Sequence, residues 1–166
     1  MLIPPIRVLS AGVSLLTLAF SLPAVAANSD GTFDDPAIVR AVLAANEAMV
    51  AAANRLDLDG FFAAMLEADH AMIVQNGTIF ETRAEARAAV ERALYGVTGV
   101  ERRFENPQVT VISPEVALLV SEGSVTATYA DGRQMSGRFA VSLVFVLRDG
   151  GWKLLHGHYS APMARP

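Results

Sequence analysis

Cysteine is absent from this 166-residue chain, which excludes a disulfide framework, cysteine-based metal sites and lipidation at a cysteine. Basic residues are few and dispersed, since 13 Lys and Arg stand against 17 Asp and Glu and only Arg102 and Arg103 are adjacent. Nucleic acids and anionic membrane surfaces are recognised by clustered positive charge. We therefore expect neither as a partner. A phosphate loop, a dinucleotide fingerprint and a nucleophile elbow are also missing.

Charge is nearly absent from the first 27 residues, in which Arg7 is the only charged side chain. An apolar run from Val8 to Leu22 follows, and Ala24-Val25-Ala26 comes after it. A positive start, a short apolar centre and small residues at the end predict a secretory signal peptide over residues 1–27. An uncleaved anchor is the alternative, but the run is shorter than the ~20 residues of a membrane span. We expect export to the periplasm or medium, and no stable membrane association after cleavage.

Residues 28–34 are polar and predict a tether before a domain spanning 35–162. Asp35-Pro36 predicts the start of a helix, because Asp caps free N–H groups and Pro suits the first helical position. Its apolar stripe consists of Ile38, Val42, Ala45, Met49, Ala52 and Leu56. Asp57 predicts a second, shorter helix that runs through Phe61 to Leu66. Thr82 and Glu85 form a capping box that predicts a third.

Short strands are predicted at residues 71–74 and 78–80, joined by a type I′ turn at Asn76-Gly77. Four longer strands then fill the chain to its end, at residues 102–112, 116–129, 135–148 and 152–160. Pro107 predicts a bulge or an edge in the first of these. Three successive hairpins predict an antiparallel meander that can curl around a helix.

The turns also predict the strand register. If Asp131-Gly132 and Asp149-Gly150 are two-residue loops, Glu122 lies opposite Val141, and Val141 lies opposite His158. The face that these residues share is bulky and is predicted to meet the helices. It also carries Val120, Phe139, Leu143, Phe145, Leu147, Trp152, Leu154 and His156. A slip of one residue would remove this arrangement.

The opposite face of the predicted sheet is also largely apolar. Its predicted members are Ala117, Leu119, Val125, Ala140, Val144, Val146, Leu155 and Tyr159. A sheet with one face in water normally alternates apolar and polar residues more regularly. Because the helices can cover only one face, we expect a homodimer that buries the other.

The order of these elements resembles the nuclear transport factor 2-like superfamily, and the ending Gly150 to Ser160 resembles its SnoaL-like branch, as does the segment from Ser113 to Val120. The resemblance covers about residues 35–160. It implies an α+β fold, a cone-shaped curved sheet wrapped around N-terminal helices (a cystatin-like roll), with a cavity between sheet and helices and dimerisation through the sheet. Members of the superfamily include isomerases, dehydratases, cyclases, binding proteins and oligomerisation modules.

Three interpretations of His156 and His158 remain open. They can act as acid or base groups, since imidazole titrates near pH ~6.5. Glu122 would then have an orienting or proton-donating role beside them. They can bind a metal together with Glu122, although we expect no metal and no cofactor. They can also be polar packing groups within a cavity. The predicted pocket-lining residues are Val120, Thr126, Phe139, Val141, Leu143 and Ser160.

The sequence therefore favours an exported domain that binds a small, mostly apolar molecule between sheet and helices, with catalysis open. One alternative is a lyase or isomerase that uses His158 or His156 as general base together with Glu122. A second is a non-catalytic oligomerisation module. Fold does not decide among them.

Overall fold

The computed structural model describes residues 35–69 and 72–162. The predicted signal peptide (1–27), the predicted tether (28–34) and the first residue of the predicted strand 71–74 lie outside the described residues. The elements are, in chain order, α1 (Pro36–Asn54), α2 (Leu58–Ala63), β1 (Ile73–Gln75), β2 (Thr78–Phe80), α3 (Arg83–Ala93), β3 (Val97–Ser113), β4 (Val116–Tyr129), β5 (Gln134–Arg148) and β6 (Gly151–Ser160).

The predicted helix starts are confirmed by their capping hydrogen bonds. The Asp35 carboxylate accepts from the amides of Ala37 and Ile38 at 2.9 and 3.2 Å, and Asp57 accepts from the Gly60 amide at 2.8 Å. At α3, Thr82 Oγ1 accepts from the Glu85 amide at 3.2 Å. These bonds satisfy amides that have no partner within the helix.

Helix α2 ends at Ala63, short of the predicted Leu66. The reason lies in the sheet, because the Leu154 amide donates to the Ala64 carbonyl at 3.0 Å and the Leu66 amide donates to the Leu154 carbonyl at 2.8 Å. These backbone groups bond to β6 and so cannot continue the helix.

A six-stranded sheet runs in the order β2-β1-β6-β5-β4-β3. The predicted meander is confirmed for β3 to β6, all of whose pairs are antiparallel. Strands β1 and β6 pair in parallel, so the sheet is mixed rather than antiparallel throughout. Strand β3 begins at Val97, five residues before its predicted start, and its register shifts between Glu105 and Gln108, which confirms the bulge at Pro107.

The predicted register between β4 and β5 is wrong by one residue. The loop has three residues rather than two, because the Tyr129 amide bonds to the Arg133 carbonyl at 2.9 Å and Thr128 pairs with Gln134. Gly132 has a φ of 83°, as the left-handed position of such a loop requires. Glu122 consequently faces Ala140 instead of Val141.

The β5–β6 turn has the predicted two-residue form, with Arg148 opposite Gly151. Farther along, however, Phe145 pairs with Leu154 whereas Val144 pairs with His156. Leu155 is the extra residue of a β-bulge, and it reverses the faces of everything after it. His158 therefore lies opposite Ser142, and Val141 lies opposite Tyr159.

These two shifts exchange the sheet's predicted faces on β4 and on the second half of β6. We call the inner face the one that packs on the helices, and the outer face the one pointing away from them. Ala117, Leu119, Val125 and Tyr159, predicted on the outer face, lie on the inner face. Val120, Glu122, His156 and His158 lie on the outer face, since alternate strand residues point to opposite sides.

The core lies between α1 and the inner face of the sheet. Its fully buried side chains include Val42 and Met49 of α1 and Leu119, Leu143 and Phe145 of the sheet. Helix α1 has the length and apolar composition of a membrane span. The core helix of a globular domain has the same properties, and α1 is such a helix, because its buried stripe is part of the hydrophobic core.

Candidate functional site

A cavity of about 100 Å³ lies between the helices, the β1–β2 hairpin and the inner face of the sheet. Its walls are mostly apolar. The lining residues are Ala53, Leu58, Phe61, Phe62, Met65, Ile73, Gln75, Phe80, Ala86, Val90, Leu94, Val100, Arg102 and Tyr159. Three of these carry polar side-chain groups, namely Gln75, Arg102 and Tyr159.

Ion pairs between α3 and the α2 region hold one wall of the cavity. Arg87 reaches Asp59 at 2.7 Å and Arg83 reaches Glu67 at 2.7 Å. Arg83 also donates to the Met65 carbonyl at 3.2 Å. These groups are largely exposed, and exposed ion pairs contribute little to stability because water screens them. Their main consequence is geometric, because they fix the spacing of two lining segments.

Arg102 is positioned through its backbone by the last residue of α1. The Asn54 Nδ2 donates to the Arg102 carbonyl at 3.0 Å, and the Arg102 amide donates to Asn54 Oδ1 at 2.7 Å. The two bonds join the end of α1 to β3. They also fix the point on β3 from which the Arg102 side chain leaves the inner face.

Aromatic rings surround the Arg102 guanidinium. Its Cζ lies 5.4 Å from the ring centroid of Phe139 and 5.6 Å from that of Tyr159, distances at which cation–π attraction acts. Phe139 packs edge-on against Phe104 with centroids 5.5 Å apart. Gly123 makes this possible, since a Cβ there would overlap the Phe139 ring and the Arg103 carbonyl.

Two polar atoms at this end of the cavity are buried and have no hydrogen-bond partner in the described part of the chain, namely Arg102 Nε and the Tyr159 hydroxyl. An unpaired buried polar group costs about 1–3 kcal/mol, and more if it is charged. Burial raises the pKa of Tyr159, and the nearby Arg102 charge opposes the rise only in part. At neutral pH the phenol is therefore a protonated hydrogen-bond donor.

The predicted catalytic residues lie elsewhere. His158 is exposed on the outer face, and His156 lies two residues before it on that face. Glu122 pairs with Arg138 at 3.1 Å, and Arg138 also reaches Glu105 at 3.0 Å. The prediction that Glu122, His156 and His158 line the cavity is therefore wrong, because the three-residue loop and the bulge at Leu155 turn them away from the helices.

None of the six predicted pocket-lining residues belongs to the described lining. Val120, Thr126 and Ser160 point outward, while Val141 and Leu143 are buried in the core. Phe139 is on the inner face and packs against Arg102, beside the cavity. Phe139 and Ser160 instead line a second, more open pocket of about 320 Å³, together with Glu122, Arg138 and Pro162.

Metal ligands do not cluster in the part of the chain that the structure describes. Among residues 35–69 and 72–162, no group of three or more His, Asp or Glu side chains is close enough to hold a metal ion. Glu122 and His158 also fall in different rows of the sheet, since Glu122 faces Ala140 and His158 faces Ser142.

Arg102 and Tyr159 were not predicted as site residues, although the sequence carries a signal for one of them. Val100, Arg102 and Phe104 share one face of an extended strand, and a lone cation between two apolar residues on a core-facing side is unusual. Tyr159 gave no such signal, because the bulge that turns it inward is not visible in the local pattern.

The chain belongs to the SnoaL-like domain family, whose sequence model matches residues 42–164. The fold is that of nuclear transport factor 2-like proteins. A candidate dehydratase of that family from Streptomyces avermitilis superposes with a TM-score of 0.69 at 18% identity, covering 78% of this chain and 100% of that one. A candidate scytalone dehydratase from Novosphingobium aromaticivorans gives 0.69 at 14% identity, covering 76% and 85%.

A protein with a cystatin-like fold from Caulobacter vibrioides superposes with a TM-score of 0.61 at 23% identity, covering 75% of this chain and 89% of that one. No curated protein matches the chain. At these identities the structural likeness establishes the fold, and the site has to be interpreted from its own residues.

Proposed function

We propose that this domain binds a small, mostly apolar molecule in the cavity between the helices and the inner face of the sheet. The supporting observation is the cavity's composition, because apolar walls with a few convergent polar groups are typical of small-molecule sites. An apolar cavity of ~150 Å³ in another protein binds benzene. The cavity of about 100 Å³ in this domain is smaller, so it suits at most a single ring or a short branched chain.

Binding is favoured over acid–base catalysis by the chemistry of the lining. Its described members include no His, Asp or Glu, the groups that most often transfer protons in enzymes. The lyase or isomerase alternative would place His156, His158 and Glu122 at the substrate, but they lie on the other side of the sheet. Two structural neighbours are described as dehydratases, but at 18% and 14% identity their activity is not carried over to this chain.

Export is part of the proposal and is supported by the composition of residues 1–27. A signal peptide removed near Ala26 or Ala27 would deliver the domain to the periplasm or medium. N-terminal sequencing of the protein recovered outside the cytoplasm should begin near residue 27. An intact Met1 in a soluble cytoplasmic fraction would contradict this part.

Self-association through the outer face is a second candidate role, and it is compatible with the first. Ile112 and Val120 are 46% and 42% exposed, and Leu118 and Val144 lie on the same face. The corrected register makes this face more polar than predicted, since Glu122, His156 and His158 also belong to it. A homodimer through this face remains a prediction.

The cavity can be tested by filling it. Ala86 of α3 is buried in the lining, whereas Ala84 on the same helix is exposed. Toluene added to the folded protein should perturb the NMR signals of the Ile73, Val90 and Leu94 methyl groups. Ala86→Leu should abolish the effect, and Ala84→Leu should leave it unchanged. The proposal fails if toluene perturbs none of these methyls, or perturbs them equally in folded Ala86→Leu.

A further inference from the structure

We propose that the natural ligand is an apolar monocarboxylic acid whose carboxylate is bound by Arg102 and Tyr159 at one end of the cavity. The inference rests on the proposed function, because it uses the same cavity and specifies the chemistry of what occupies it. It follows from the charge, the donor inventory and the available volume.

Arg102 differs from most arginines of the protein in having no acidic partner within the described residues. Seven others form ion pairs with carboxylates: Arg55, Arg83, Arg87, Arg103, Arg133, Arg138 and Arg148. Those seven lie at the surface, where water already screens their charge. Arg102 instead points into an apolar cavity. The groups that interact with its charge there are the aromatic rings of Phe139 and Tyr159. A partly buried charge without a counter-charge is costly, and an anionic ligand would offset the cost.

The polar groups that meet here are donors. Guanidinium has five N–H donors and no acceptor. The Tyr159 hydroxyl is protonated at neutral pH, and no acceptor in the described part of the chain takes its proton, since the neighbouring Arg102 is itself a donor. A complementary ligand group must therefore accept several hydrogen bonds and carry negative charge. A carboxylate does both, and its two oxygens match the planar fork of an arginine.

Volume and charge restrict the acid further. The described lining of the cavity presents one cation, with Gln75 as its polar side chain besides Arg102 and Tyr159. A single negative charge is therefore balanced there, and a second would not be. The remaining space accepts about one ring, and its walls are apolar. A small aromatic or branched aliphatic monocarboxylate satisfies all three conditions.

The structure holds the cation in place before any ligand arrives. Asn54 fixes the backbone of Arg102 at 2.7 and 3.0 Å, and Phe139 and Tyr159 fix its side chain from two sides. A group held in its binding position loses less conformational freedom on binding, so more of the interaction free energy appears as affinity.

Sodium benzoate and benzamide test the inference, because the two molecules have similar shape and differ in charge. Binding to the purified mature protein would be measured by NMR titration and calorimetry at neutral pH. We expect benzoate to bind at least tenfold more tightly than benzamide. Arg102→Met should remove this preference while benzamide still binds, and Tyr159→Phe should weaken benzoate severalfold.

Arg103→Met is the matched control, since Arg103 is the next residue of β3, is exposed and pairs with Glu101. It should leave both affinities unchanged. Equal binding of benzoate and benzamide would overturn the inference and leave the apolar cavity standing. Unchanged benzoate affinity in folded Arg102→Met would also overturn it. If neither compound binds and toluene does not perturb the cavity methyls, the proposed function fails as well. Should Arg102→Met not fold, the result with Tyr159→Phe decides in the same way.

Discussion

Asn54 of α1 and Arg102 of β3 are 48 residues apart in the chain and are joined by two hydrogen bonds, at 2.7 and 3.0 Å. The side-chain amide of Asn54 pairs with both the N–H and the C=O group of Arg102, as the backbone of a neighbouring strand would. Helix α1 is thereby anchored at its end to the residue that brings positive charge to the cavity.

Replacing Asn54 by Ala should destabilise the fold. It leaves the Arg102 amide and carbonyl unpaired in a partly buried place, which costs about 1–3 kcal/mol. Urea denaturation followed by circular dichroism measures the change. Gln108→Ala, at an exposed position of the same strand β3, should change the free energy of unfolding by less than about 0.5 kcal/mol. Equal stability of the Asn54→Ala and wild-type proteins would show that these bonds contribute nothing net.

Gly123 and Gly137 form a matched pair on neighbouring strands. A Cβ at Gly123 would overlap the Phe139 ring and the Arg103 carbonyl, whereas a Cβ at Gly137 would meet nothing within 4 Å. Gly123→Ala should therefore destabilise the protein by about 1–3 kcal/mol, as overpacking does, and should displace Phe139 from Arg102. Gly137→Ala should be nearly neutral. Thermal melting distinguishes them, and equal melting temperatures of the two variants would refute the packing argument.

Leu143 and His158 test the corrected faces of the sheet. Leu143 is fully buried on the inner face, so Leu143→Ala should cost ~2–5 kcal/mol. His158 is exposed on the outer face, so His158→Ala should change stability by about 0.5 kcal/mol or less and leave benzoate binding unchanged. A His158→Ala protein with greatly weakened benzoate binding would restore the histidine to the site.

Tyr159 should make stability depend on alkaline pH. Burial raises its pKa in the folded state, so the folded protein retains a proton that the unfolded chain loses above pH ~10. Stability contributed by this proton is complete below that pH and falls as pH rises through the folded-state value. Between pH 8 and pH 11, the wild type should lose more melting temperature than Tyr159→Phe does. Identical losses would indicate that Tyr159 is not buried.

Val144 tests the predicted dimer. It lies on the outer face opposite Leu118 and His156, and Val144→Glu would place a charge within any interface formed there. Light scattering at micromolar concentration should give a dimer for the wild type and a monomer for the variant. A monomeric wild type would remove self-association from the account.

The elements of the fold followed from the sequence because their signals are local. Asp35, Asp57 and Thr82 act on amides two or three residues away, and Asn76-Gly77 determines its own turn, so each could be recognised in a short window. The order of the elements and the resemblance to the SnoaL-like branch then led to the α+β architecture.

The site did not follow from the sequence, because it depends on long-range register. One additional residue in the loop before Arg133 and one bulged residue at Leu155 were enough to exchange the two faces. The bulge occurs where Leu154 bonds to the segment after α2, an interaction across almost ninety residues. An alternating pattern of apolar and polar residues does not reveal such an insertion. The prediction therefore assigned His158 to the inner face and Tyr159 to the outer face, the reverse of the structure.

The central claim is that ligands bind on the inner side of the sheet, at Arg102 and Tyr159. Intermolecular NOEs from the ring protons of bound benzoate test it most directly. The account predicts NOEs to the methyl groups of Ile73, Val90 and Leu94, and none to the imidazole protons of His158. NOEs to His158, with none to the cavity methyls, would place the site on the outer face and contradict the account.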